Sequence, residues 1–146
     1  LSITGLLFGM GVAKYRDFNR RQILSQATQE VKSNLRLARD KALSGEKSCG
    51  NELALDGWYV NFSPGSYEIY GSCSDTDTTQ TFGSRTINLP QPQVISITVP
   101  FTNPILFKVL SQGTNVPIGS PATITLSFSE IGLEEMITVT STGEIR

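Results

Sequence analysis

Apolar residues along this chain follow two different periods, and the change comes near residue 45. From Tyr15 onward, Leu24, Ala27, Val31, Leu35, Ala38 and Ala42 recur in steps of three or four. That spacing gathers side chains on one face of an α-helix. Lys32, Arg36, Arg39, Asp40 and several glutamines fill the other positions. Gly45 follows Leu43 and Ser44 as a helix-ending glycine does. No proline precedes Pro64, so one helix can run from the N-terminus to Ser44, about 60 Å at roughly 1.5 Å per residue. That is longer than the rest of the chain can cover, and its N-terminal half is expected to bury itself in something else.

Beyond Gly45 the period shortens to two. Trp58, Val60 and Phe62 alternate with Tyr59 and Asn61, a Ser63-Pro-Gly-Ser66 turn follows, and Tyr67, Ile69 and Gly71 alternate again. This predicts a β-hairpin. Ile95-Ile97-Val99, Ile105-Phe107-Val109, Ile124-Leu126-Phe128 and Ile137-Val139 predict further strands, with threonine and serine outward and prolines between the runs. The polar stretch from Ser74 to Ser84 reads as a surface loop. Because every strand follows the single helix, the predicted class is α+β, a long N-terminal helix packed on an antiparallel β-sheet head. Residues 1–45 are expected to form the helix, 1–14 its apolar, membrane-like half and 15–45 its amphipathic half packing on the head, and residues 46–146 the head.

The first 13 residues, LSITGLLFGMGVA, carry no charge. Leu1, Ile3, Leu6, Leu7, Phe8, Met10 and Val12 make them membrane-like, yet a spanning helix needs about 20 apolar residues. The charged start and cleavage site of a signal peptide are absent. Glycines at 5, 9 and 11 suit a membrane helix better than a soluble one. The stretch LLFGMGVAKYRDFNRRQILSQ therefore reads as the middle of one continuous helix, with a short interfacial or buried helix as the alternative.

Composition sharpens this division. Between Lys14 and Lys47 lie nine basic residues and four acids, a net of +5; the remainder holds three basic residues and nine acids, a net of −6. The chain is a cationic stem joined to an anionic body. Histidine is absent, which removes the commonest general base and metal ligand together. The two cysteines, Cys49 and Cys73, form no C-x-x-C motif, so a zinc site is not expected. A disulfide between them is expected, and two buried free thiols are the alternative.

Other motifs are weaker. Ser44-Gly-Glu-Lys47 matches S-x-x-K but ends a helix instead of starting one. Asp75 and Asp77 form a D-x-D without the spacing of a calcium loop. Asn61-Phe-Ser63 is a formal glycosylation sequon inside a predicted strand. Arg16, Arg20 and Arg21 cluster where the apolar segment ends, suited to phosphate contact or to snorkelling at a membrane surface. Lys32, Arg36 and Arg39 extend the basic stem. A nucleic-acid groove is the secondary reading there, and no aromatics interleave with the charges as a stacking platform requires.

Tyr15-Arg-Asp-Phe-Asn-Arg-Arg21, set after an apolar helix, resembles the type IV pilins and type II secretion pseudopilins. Leu35-Arg-Leu-Ala-Arg-Asp-Lys-Ala-Leu-Ser-Gly45 is similar to the helix end of minor pseudopilins of the GspH/FimT type. Gly57-Trp-Tyr-Val-Asn-Phe62 and Ile137-Thr-Val-Thr-Ser-Thr-Gly-Glu-Ile145 resemble that head's first and last strands. The family's cleavage site and N-terminal glutamate are not among these residues, and the cysteines sit early. The resemblance implies a filament subunit, held in the inner membrane as a single pass before assembly and afterwards part of a cell-surface or periplasmic filament. Its partners would be copies of itself and other pilins, with no catalysis, cofactor, metal or small-molecule substrate. A minor, tip-located subunit that binds DNA, a secreted substrate or other pilins is the alternative.

Overall fold

The computed structural model describes the backbone of residues 2–146 and the side chains of 5, 6 and 8–146. Leu1 and the side chains of Ile3 and Leu7 lie outside the described residues. Helix α1 runs Ser2–Ser44 without a break. It ends as its sequence requires: Gly45 takes φ +68°, and the amides of Gly45 and Glu46 donate to Ala42 O and Lys41 O at 3.2 and 3.0 Å. This paired closure satisfies carbonyls the last turn would leave bare.

Seven strands follow, all paired antiparallel: β1 (Ala54–Ser63), β2 (Ser66–Ser74), β3 (Thr79–Asn88), β4 (Ile95–Thr98), β5 (Ile105–Lys108), β6 (Ala122–Phe128) and β7 (Leu133–Val139). They form two sheets, ordered β3-β2-β1-β5 and β4-β6-β7, where the sequence suggested one. The predicted hairpin is β1–β2, with Ser63 opposite Ser66 around Pro64-Gly65. Trp58, Val60 and Phe62, Ile95 and Ile97, Ile105 and Phe107, Ile124, Leu126 and Phe128, and Ile137 and Val139 all point into one core against α1.

Two readings need correction. Ser74 to Ser84 is not a loop: Ser74 ends β2, and β3 begins at Thr79 and pairs with β2 from Ser66↔Asn88 to Ser74↔Thr79. This edge strand exposes both faces along most of its length, so no alternation marks it. Instead Gly71 leaves room for the Phe82 ring, which a Cβ there would strike, and Phe82 meets Trp58 edge-on at 5.3 Å. Nor is Ile137–Ile145 one strand. The chain turns at Gly143 (φ +87°) and returns beside β7, where Thr138 and Arg146 exchange backbone hydrogen bonds at 3.2 and 3.0 Å.

Candidate functional site

The stem is seated by its C-terminal half. Leu24, Ala27, Val31, Leu35, Ala38 and Ala42, the full predicted stripe, are buried, and Leu35 is 0% exposed. Small alanines alternating with larger residues let the helix lie close to both sheets. Buried Thr28 satisfies its hydroxyl within the helix, donating to Leu24 O at 2.9 Å. Asn34 donates to the Tyr67 hydroxyl at 2.7 Å, and burial pushes that phenol up to about 12 despite the amide's opposing pull. At the helix end, Lys41 pairs with Glu46 at 2.7 Å and lies 4.6 Å from the Trp58 ring centroid. The Trp58 indole in turn donates to Glu46 O at 3.1 Å.

Up to Asn19 the described side chains of the N-terminal half are all exposed. Leu6 is 68% exposed, Phe8 78% and Met10 64%, and Val12, Tyr15 and Phe18 stand in solvent as well. A methyl group added at Gly5, Gly9 or Gly11 would meet no atom within 4 Å. No helix among the described residues is long and apolar enough to cross a membrane.

The structure separates the basic residues rather than gathering them into one site. Arg16 is exposed, and Arg20 bridges to Glu130 at 3.1 Å with its guanidinium 5.9 Å from the Phe128 ring centroid. Glu130 had no sequence signal as a partner, being distant in the chain and within a turn. Arg21 lines a cleft of about 760 Å³ with Glu134 and Glu135. Lys32 is half-buried and Arg36 exposed. Arg39 lies 3.6 Å from the Asp40 carboxylate, its Nε buried without a hydrogen bond.

Cys49 and Cys73 form a disulfide, tying the segment after α1 to β2. Asp75 is consumed by its own turn: one carboxylate oxygen accepts the amides of Asp77 and Thr78, each at 2.8 Å, holding its carboxyl below the usual range. Ser44 donates to Lys41 O at 3.1 Å, and Lys47 to Leu53 O, so the S-x-x-K pair is spent on backbone. Comparison with protein families, with curated proteins and with solved structures finds no match.

Proposed function

We propose that the chain is a structural subunit of a type IV pilus or related pseudopilus, assembled through its apolar N-terminal helix. The observation that carries this reading is the contrast within α1. One half is seated on the head residue by residue, while the other holds Leu6, Phe8, Met10 and Val12 in solvent on a continuous helix. Exposed apolar surface on that scale marks an interaction site. Glycines at 5, 9 and 11, open on every side, let sister helices approach closely. Before assembly this half rests in the inner membrane with Arg16 and Arg21 at its surface; afterwards it forms the filament core at the cell surface or in the periplasm.

A second reading is a minor, tip-located subunit whose head binds a partner. It is favoured by Phe101 and Ile118, which stand almost wholly in solvent on loops flanking one cleft. Abundance in purified filaments separates the two, since a major subunit dominates and a minor one does not. The filament reading is tested with Phe8→Asp. Filaments in the sheared surface fraction should disappear while head folding and the disulfide persist. Undiminished filaments in that variant would sink the reading.

A further inference from the structure

Two seams flank α1 where it enters the head, and they are not equivalent. On one, Arg20 meets Glu130 at 3.1 Å, so cation and carboxylate are matched. On the other, the cleft of about 760 Å³ lies between Phe18, Arg21 and Leu24 of α1 and Leu133, Glu134 and Glu135 of β7. Among the described residues Arg21 makes no ion pair with either carboxylate, although all three line the same space.

Sheet order β4-β6-β7 leaves β7 outermost among the named strands, and Arg146 of the chain's return pairs with Thr138. Residues two apart on a strand direct their backbone groups the same way. The amides and carbonyls of Glu134 and Met136 therefore face outward as Thr138's do.

Most other head carboxylates are occupied. Asp56 accepts from Ser72 and Ser74 at 3.1 and 2.5 Å, Glu68 from Ser84, and Glu144 pairs with Arg146 at 2.9 Å. Glu134 and Glu135 are an adjacent pair with neither hydrogen bond nor ion pair among the described side chains. Their counterpart is on the stem. Lys32 and Arg36, four residues apart and so on one helix face, also make no ion pair among the described residues. Lys32 stands three positions and Arg36 seven beyond Gln29, the last stem residue lining the cleft, roughly 5 and 10 Å along the axis, and neither pairs with Glu134 or Glu135 of its own chain among the described residues.

We propose that this cleft receives the Lys32–Arg36 face of a second copy of the chain. The neighbour's cations lie opposite Glu134 and Glu135, and their aliphatic stems cover Phe18 and Leu133. Donor face and receiving cleft follow one another along α1 at different heights, so between copies lying parallel the contact is heterologous and repeats without closing. The inference rests on the filament reading for its second copy and deepens it by naming the seam between neighbours.

Full-length chain in detergent, with Cys49–Cys73 kept oxidised, tests it as two variants. Ser33→Cys lies on the basic face and Met136→Cys beside Glu135, and both positions are exposed. When the two are mixed, their mixed disulfide should form about tenfold faster than either self-pair, as complementary charge steers encounter. Lys32→Glu with Arg36→Glu in the first copy should remove that excess, and Glu134→Lys with Glu135→Lys in the second should restore it. Equal rates for mixed and self-pairs overturn the inference. So does a mixed pair indifferent to all four reversals, which would leave Arg21 as the partner of these carboxylates. Microscopy of the sheared surface fraction from cells making the unaltered chain reads the filament separately. Filaments without the mixed cross-link sink the seam alone, and the cross-link without filaments sinks the filament reading alone.

Discussion

The two halves of α1 share one unbroken backbone helix and almost nothing else. Between Leu24 and Ala42 each stripe position is sealed against the sheets, whereas from Leu6 to Phe18 the large apolar side chains stand in solvent. Local hydrogen bonding is the same in both, so it does not explain where the helix is held. Isolated helices are marginal in water, and packing of an apolar face supplies most of their stability. The seated half is therefore anchored by the head, and the free half extends from that anchor. The difference teaches that stability and assembly are assigned to separate stretches of one element.

The strongest way to break this comparison is to damage each half in turn. Leu35→Ala removes a fully buried side chain and should lower unfolding free energy by about 2–5 kcal/mol. Leu35→Asp should prevent the head from folding, because an unpaired charge would be sealed in the core. Phe8→Ala should change stability by no more than about 0.5 kcal/mol, as for other exposed sites. Denaturant unfolding followed through Trp58, the single tryptophan, gives both free-energy changes and should show no transition for Leu35→Asp. A Phe8→Ala loss as large as that of Leu35→Ala would show that the two halves are not separate.

Next in size is the disulfide. It links Cys49, just past the seated half, to Cys73 in β2 across 24 residues. Closing a loop of that length restrains the unfolded chain by about 3 kcal/mol. Cys49→Ala with Cys73→Ala should lower the head's midpoint by a comparable amount. Protease sensitivity between Leu6 and Phe18 should stay unchanged, since nothing in that half depends on the bridge.

How much of this was legible in the sequence follows from what each element is packed against. The helix stripe could be read residue by residue because a single face is buried, and the β1–β2 hairpin because Pro64-Gly65 separates two alternating runs. Strand β3 was hidden for the opposite reason. It is held by backbone pairing and by Phe82 over Gly71, and neither leaves a period in the sequence. Its β-branched Thr79, Thr81, Thr86 and Ile87 were the one available signal. The split into two sheets was equally silent, since pairing order is not written in alternation. At the candidate site the exposed apolar run and the basic cluster were legible as compositions. The partner of Arg20 and the cleft beside Arg21 were not, because both depend on β6 and β7 folding back over a hundred residues later.

A smaller effect sharpens the seated half. The Tyr67 hydroxyl accepts from Asn34 at 2.7 Å, and its folded pKa is raised from 10.0 to about 12, chiefly by burial. A raised folded pKa means the native state holds this proton more tightly than the unfolded chain. Its contribution is thus complete below pH 10 and is lost as pH rises toward 12. Tyr67→Phe should lower stability at neutral pH by about 1 kcal/mol through the lost hydrogen bond. It should also flatten the decline in unfolding free energy between pH 10 and 12. An unchanged alkaline slope would place the titration elsewhere.

The smallest effect falls at the junction of the two halves, where Arg20 meets Glu130 and Phe128. Both partners of the ion pair keep substantial exposure, so their attraction is largely offset by lost hydration and side-chain freedom. Arg20→Met keeps the aliphatic cover over Phe128 and deletes the charge. It should reduce stability by less than about 1 kcal/mol. The difference from the unaltered chain should vanish near 1 M salt, where screening acts within about 3 Å. A larger loss that persists in salt would mean that the guanidinium acts through its contact with the Phe128 ring and not through the screened ion pair, and that the seated half of the stem begins a full turn earlier than Leu24.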